Sequence, residues 1–339
     1  MAHPEVYVVG DWDADGVVSA AEILYAQRNL GLYPLRRRCS VVTKPAGPRS
    51  VEGIVGEVLG SGAEALVVLD IPYGSRVAEL LRRARAKGMY VVYVDHHLST
   101  IFRSGEVEKQ VNELIVGRVP TALLVYHLLK TLGARLTPRL EMFVKATSVV
   151  ERSKRPSPQL ERMVRLVVDV SKALTHLRDE ELWRRVVEWL ASPLALASMP
   201  FAQGVVDAIR RGGEPGDRAL HELAIELAPT ARRIFNLRLV DARRRLRSRG
   251  ASALASMLYR TFRSPVAVVA EARDGSPLLI IRGRGTLPYR VAQVLVKQGV
   301  VEDVGGHQSL ALLKLRKGLE IGEIEALLRR AVLEASRER

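Results

Sequence analysis

Three acidic clusters, each following directly on a short apolar run, constrain this chain more than any other feature: Asp11-Trp12-Asp13-Ala14-Asp15-Gly16, then Asp70, then Asp95-His96-His97. The runs Glu5 to Gly10 (EVYVVG), Ala65 to Leu69 (ALVVL) and Tyr90 to Val94 (YVVYV) are rich in β-branched residues, as strands buried on both faces are. Each runs straight into carboxylate. In an open parallel sheet, ligands collect outside the carboxyl ends of the strands, so acids far apart in sequence converge in one crevice.

The residue types fit one chemistry. Hard divalent cations take carboxylate oxygens, and imidazole shifts the preference towards a transition metal, so Asp with His favours Mn²⁺, with Mg²⁺ as the alternative. Two such ions roughly 3.5 to 4 Å apart lower the pKa of a bridging water and clamp a phosphate for in-line displacement. A carboxylate must then lie between them. Alternation along an extended segment places Asp11, Asp13 and Asp15 on one side of the chain, and Gly16 lets the backbone turn into a helix expected over Val17 to Leu30. Ser19 and the start of that helix are then placed to receive phosphate oxygens. Taken singly the motifs are weak, because an Asp at a strand end is commonly a cap or turn residue. The DxDxDG segment also imitates a calcium loop, but an EF-hand needs flanking helices, and Glu22 is followed by no second loop of that type. The conjunction of all three clusters at strand ends favours a metal site.

Together, Asp13-Ala14-Asp15-Gly16, Asp70, Asp95-His96-His97 and Gly305-Gly306-His307 resemble the DHH phosphoesterase superfamily with its associated C-terminal domain, over nearly the whole chain. The wording GDWDADG is similar to RecJ-type single-strand exonucleases rather than to inorganic pyrophosphatases. The resemblance implies that Asp13 and Asp70 hold one cation, with Asp11 as a third ligand there. Asp15, Asp70 and His96 hold the other, so that Asp70 bridges, and His97 donates to an oxygen of the scissile phosphate. It implies further that Arg284 and Gly305, Gly306 and His307 contact substrate phosphate from a C-terminal domain facing the metal centre. One departure stands out. The family supplies another Asp after the helix that follows the triplet, whereas Lys145 to Arg152 (KATSVVER) has none, and Glu151 is the nearest acid able to substitute. Archaeal relatives implied by the resemblance include nucleases associated with GINS or with a repair helicase, and a replication factor that joins GINS to the MCM helicase. The leading expectation is therefore a single-strand exonuclease of DNA replication or repair. The runner-up is a catalytically weak or inactive RecJ-derived scaffold for those partners, and the third is a small-substrate phosphatase or oligonucleotide hydrolase.

With 339 residues and 47% hydrophobic content, the chain can bury the cores of two domains. No apolar run approaches the ~18 residues of a membrane span, and the chain enters a strand at once instead of a signal peptide, so a soluble cytoplasmic protein is expected. A single cysteine, Cys39, excludes an internal disulfide and a Cys-based zinc site, and is assigned to packing in a strand over Cys39 to Thr43. The net charge of +15 suits a single-stranded nucleic-acid substrate, although Arg-rich, Cys-poor composition is shared by proteins of hot environments. Arg232, Arg233, Arg238, Arg243, Arg244, Arg245, Arg247 and Arg249 fall in one predicted helix, with Ile234, Leu237, Val240 and Leu246 as its apolar stripe.

Strands starting at Glu5, Cys39, Ala65 and Tyr90 alternate with helices at Val17, Val51, Ser75 and Thr121 to Leu132, the pattern of a parallel doubly wound α/β sheet. Helices over Pro138 to Val150, Ser157 to Leu174 and Asp179 to Leu190 extend this domain to residues 1–190. A helical connector is expected over 191–263, with Gly212-Gly213-Glu214-Pro215-Gly216 as the strongest breaker. A smaller α/β domain follows over 264–339. Its strands are placed at Val266 to Ala270, Leu278 to Arg282 and Leu310 to Leu315, and its helices at Leu287 to Lys297 and Ile321 to Glu334. Its chemistry is expected in two loops, Arg282-Gly283-Arg284-Gly285 and Gly305-Gly306-His307.

Overall fold

A computed structural model describes residues 5–152, 154–194, 219–246 and 250–337. The chain divides into two compact units, Met1–Arg211 and Gly212–Arg339.

In the first unit β1 (Val6–Gly10), β2 (Val41–Pro45), β3 (Ala65–Leu69), β4 (Tyr90–Asp95) and β5 (Glu113–Val116) form a parallel sheet in the order β2-β1-β3-β4-β5. The helices are α1 (Ala14–Leu24), α2 (Val51–Gly60), α3 (Ser75–Ala86), α4 (Leu98–Phe102), α5 (Ser104–Val107), α6 (Thr121–Thr131), α7 (Pro138–Glu151), α8 (Glu161–Leu177) and α9 (Glu180–Ala191). Because side chains alternate along each strand, the sheet feeds two cores. Val6, Val8, Val67, Leu69, Val92 and Val94 pack with α1 and α6 to α9, whereas Tyr7, Val9, Leu66, Val68, Val91 and Tyr93 pack with α2 and α3. The doubly wound architecture expected from the strand–helix alternation is what the unit shows.

Local boundaries differ from expectation for identifiable reasons. α1 begins at Ala14 instead of Val17, because Asp13 caps it. It ends at Leu24, and Tyr25–Leu30 continue as a wider π-helical turn. Cys39 precedes β2, which starts at Val41, and it packs half-buried against the larger core. β5 is a short, half-buried strand at the sheet edge, too brief to stand out by pattern.

The second unit contains α10 (219–227), β6 (Arg232–Ile234), β7 (Leu237–Asp241), α11 (Ala251–Phe262), β8 (Val266–Glu271), β9 (Pro277–Arg282), α12 (Leu287–Lys297), β10 (Val301–His307), β11 (Leu310–Leu315) and α13 (Ile321–Arg337). Its sheet runs β10-β11-β9-β8-β7-β6, antiparallel except for β7 beside β8, which α11 connects. The single Arg-rich helix expected over Arg232 to Arg249 is not found. β6 and β7 form a hairpin there, turning at Phe235 and Asn236, with Phe235 at φ 54°. Burial of Ile234, Leu237, Leu239 and Val240 in the sheet outweighs the helical spacing of the apolar residues. Of the connector, 219–227 and Ala251–Phe262 are helical, with the strands β6 and β7 between them. Arg247, Arg249 and the breaker Gly212 to Gly216 lie outside the described residues.

Candidate metal centre

With strand order β2-β1-β3-β4-β5, the winding reverses between β1 and β3, and the crevice outside their carboxyl ends is the topological switch point. Asp11 to Asp15 leave β1 there, Asp70 leaves β3, and Asp95-His96-His97 close β4.

The first acidic loop is held from several sides. Asp13 Oδ1 accepts the backbone N–H groups of Asp15 at 2.9 Å and Gly16 at 3.1 Å, so one ligand candidate is also the helix cap. A Cβ on Gly16 would stand 2.4 Å from the Asp11 carbonyl oxygen, which restricts that position to glycine. The indole of Trp183, fully buried on α9, donates to the same carbonyl at 3.0 Å. From α8, Ser171 Oγ accepts the Ala14 N–H at 3.3 Å. Two helices far along the sequence therefore set the position of Asp11 and Asp13.

Asp15 and Asp70 meet the start of α6. Both Asp15 oxygens accept backbone N–H groups there, from Thr121 at 2.8 Å and Ala122 at 2.9 Å, a helix N-terminus binding a carboxylate. Thr121 Oγ1 donates to Asp70 Oδ1 at 2.9 Å. Asp70 itself takes φ 60°, a left-handed conformation that costs most L-residues energy and that Asp and Asn tolerate best.

The imidazoles complete the cluster. His96 Nε2 lies 3.4 Å from Asp70 Oδ1 and 3.6 Å from Asp15 Oδ2. His97 Nδ1 is 2.6 Å from Asp95 Oδ1, and Thr100 Oγ1 donates to the other Asp95 oxygen. Donor atoms of Asp70, His96 and His97 all fall within 4.8 Å of one another.

Burial and crowding set the protonation states. Burial and the charge of Asp13 push Asp11 and Asp15 each up to about 7. Asp70 is raised well above the carboxylate range by burial and by Asp15, Asp13, Asp95 and Asp11. Burial and the neighbouring His97 pull His96 down to about 3, so its ring is neutral, the form that binds metal. For His97 burial pulls down, but the Asp95 charge and hydrogen bond, with Asp11 and Asp13, outweigh it and lift it to about 9. A crowded, buried set of carboxylates beside a neutral imidazole is the donor set a divalent cation satisfies, and these residues fit one.

The structure thus brings Asp11, Asp13, Asp15, Asp70, His96 and His97 to one end of the sheet. Glu151 is the last residue of α7 and is outside the Asp70–His96–His97 trio. Arg284, Gly305, Gly306 and His307 belong to the second unit. There Gly305 to His307 form the end of β10 and not a loop, and Gly306, at φ 83°, has the Leu310 carbonyl oxygen 2.0 Å from where a Cβ would stand. Sequence reasoning missed Asp95 as the partner of His97, Thr121 as the partner of Asp70, and Trp183. It also missed Arg178, whose guanidinium lies 5.2 Å from the Trp12 ring and whose charge acts on Asp11. Thr121, Trp183 and Arg178 follow no motif, because each reaches the centre through tertiary packing.

A doubly wound sheet with an acid–imidazole centre at its switch point defines the class: an α/β protein built to hold a divalent cation. Residues 5–164 match the family model described as DHH family, N-terminal domain, so this part of the chain is a DHH domain, and the fold is RecJ-like. RecJ from Thermus thermophilus, solved in complex with Mn²⁺, is 17% identical with a TM-score of 0.55, covering 99% of this chain and 52% of that one. The chain therefore spans about half the length of that RecJ. The DHH domain of a protein described as a member of the s1p family of ribosomal proteins is 14% identical with a TM-score of 0.60, covering 97% of this chain and 87% of that one. An exopolyphosphatase-related protein from Bacteroides fragilis is 12% identical with a TM-score of 0.53, covering 99% and 94%. At these identities the likeness is one of fold. No curated protein sequence matches the chain. Among the described residues no helix is long and apolar enough to cross a membrane.

Proposed function

We propose that this chain is a metal-dependent phosphoesterase that hydrolyses single-stranded nucleic acid from an end, in DNA replication or repair, with two divalent cations, Mn²⁺ preferred. The observation that carries the reading is the pairing, at one switch point, of a neutral His96 among Asp15 and Asp70 with a cationic His97 held by Asp95. When bound, the cations supply a nucleophile at neutral pH and neutralise phosphate charge. The protein's own groups do the rest. His97, its side chain 17% exposed, presents a protonated ring to a phosphate oxygen while Asp95 fixes its orientation. Asp70 is rigidly placed by its backbone and by Thr121, as a bridging ligand must be. Arg178, exposed beside Asp11, adds a cation for the incoming backbone. From the second unit Arg284, Gly305, Gly306 and His307 serve as substrate contacts. The DHH domain and the Mn²⁺-bound RecJ of similar fold support the assignment.

The test is hydrolysis of single-stranded DNA and RNA, labelled separately at each end, with Mn²⁺ or Mg²⁺, comparing the native protein with Asp70→Asn. Laddering from one end by the native protein alone is expected. No cleavage under any of these conditions, with full metal loading, would leave the second reading, a replication scaffold that binds GINS-like partners and the MCM helicase. One observation favours that reading: Lys145 to Arg152, the stretch in which the resemblance calls for an Asp, carries none.

A further inference from the structure

The second unit holds a cavity of about 830 Å³ into which four arginines converge from separate elements: Arg260 and Arg263 from the end of α11, Arg284 from the β9–α12 loop, and Arg290 from the first turns of α12. Among the described residues no carboxylate lines it. Among the described residues none of the four guanidiniums is in a salt bridge, and Arg290 Nε is buried without a hydrogen-bond partner. The arginine content of the chain does not explain this. A second cavity of about 630 Å³ in the same unit also carries arginines, Arg243 and Arg244, but Asp241, Glu271 and Glu320 line it too, and Arg243 Nη2 sits 2.9 Å from Asp241 Oδ2.

Four like charges drawn together without a counter-charge repel one another, and the backbone adds to the bias. Arg263 is held at φ 50° as the cap of α11. The 11-residue α12 opens on the cavity at Thr286, whose side chain makes no capping hydrogen bond, so its first N–H groups and dipole also point positive. The missing partner is therefore an anion with more than one charge. The cavity is at the upper end of the roughly 300–1,000 Å³ of small-molecule sites, larger than a lone phosphate needs. Tyr259 and Asn236 line it as well, adding an aromatic face and an amide to the basic groups. An aromatic platform inside a basic groove is the recognition chemistry of a single nucleic-acid strand.

We propose that Arg260, Arg263 and Arg290, with Arg284, grip consecutive phosphates of a single strand, a binding site carried wholly by the second unit. The choice of strand over free polyphosphate rests on the proposed function; the charge argument does not. The full chain is titrated in EDTA, where hydrolysis is suppressed, against a fluorescein-labelled single-stranded oligonucleotide over a series of NaCl concentrations. Arg260→Glu/Arg263→Glu replaces exposed residues and is expected to weaken binding by about 10-fold or more and to flatten the salt dependence by about one to two phosphate contacts. Arg290→Met, which keeps the stem, is expected to act in the same direction. Arg244→Glu/Arg273→Glu makes the same change in net charge outside this cavity and is expected to bind nearly as the native chain does. Equal losses in the two double variants, or native affinity in the first, overturn the proposal. Inorganic triphosphate competing as well as unlabelled oligonucleotide overturns the assignment to a strand. Because binding is read without metal, an inactive metal centre does not imitate either failure.

Discussion

Asp70 does two jobs at once, and a pair of substitutions separates them. Asp70→Asn removes the negative charge but keeps an oxygen for Thr121 Oγ1 and a side chain that tolerates the φ of 60°. Asp70→Ala removes the charge, the acceptor and that tolerance together. The left-handed conformation costs an ordinary L-residue about 1–2 kcal/mol, and orphaning the hydroxyl of fully buried Thr121 costs about 1–3 kcal/mol. The Ala variant is therefore expected to be less stable than the Asn variant by about 3 kcal/mol. For a unit of this size that corresponds to roughly 6–12 °C in Tm. Both variants are expected to lose hydrolysis and to bind less metal. Thermal melts in EDTA at pH 8 and metal analysis after Mn²⁺ loading provide the assay. Equal melting temperatures for Asn and Ala would refute the claim that strain and the Thr121 bond are held at this residue. Wild-type turnover in either would remove Asp70 from the chemistry.

Without metal, Asp11 and Asp15 are raised from the ordinary 3.8 to about 7, so their contribution to stability is full below pH ~4 and is lost as pH rises through about 7. The increase in Tm on adding Mn²⁺ should accordingly grow from pH 5 to pH 8, and a flat profile counts against a carboxylate site. Glu22 is buried on α1 with both oxygens unpartnered, and burial and Asp15 raise its pKa well above the carboxylate range. Glu22→Met should raise the denaturant midpoint at pH 8 more than at pH 4.5, since a group of this kind loses up to ~1.4 kcal/mol of stability per pH unit once its unfolded form ionises. Arg178→Ala should raise KM for single-stranded substrate several-fold with metal content unchanged; an altered metal content instead would make it a structural partner of Asp11. Glu151→Gln should raise the Mn²⁺ concentration needed for activity if this acid serves a cation, and an unchanged Mn²⁺ dependence excludes it.

The strands and ligand candidates of the first unit were legible because each buried parallel strand is a continuous apolar run and each ligand stands immediately after one. Nothing similar marks Trp183, Ser171 or Thr121, which reach the acidic loops over sequence separations of more than a hundred residues, or about fifty in the case of Thr121 and Asp70. The second unit was harder to read for a different reason. The apolar residues Ile234, Leu237 and Val240 fit a helical stripe by spacing, and only pairing with β8 decides that they form a hairpin and a strand. Gly305-Gly306-His307 reads as a loop for the same cause: glycine signals a turn locally, whereas here it lets β10 approach β11. The strand-end position that made Asp70 visible also hid its backbone strain, which depends on φ and not on residue type.

Charge balance bears on whether the missing acid at the end of α7 disables the centre. Asp11, Asp13, Asp15 and Asp95 all act on Asp70, and two cations face the group, His97 beside Asp95 and Arg178 beside Asp11. Five aspartates against two cations leave an excess of carboxylate for a divalent cation to meet even without an acid from α7. The same reasoning explains why Glu22, on α1 below this group, is held in its protonated form and supplies no ligand: another ionised carboxylate there would have no counter-charge. What α7 withholds is a coordinating oxygen, not electrostatic stabilisation. Metal geometry and turnover are therefore where a defect should register, while affinity for a divalent cation should follow the acids that remain.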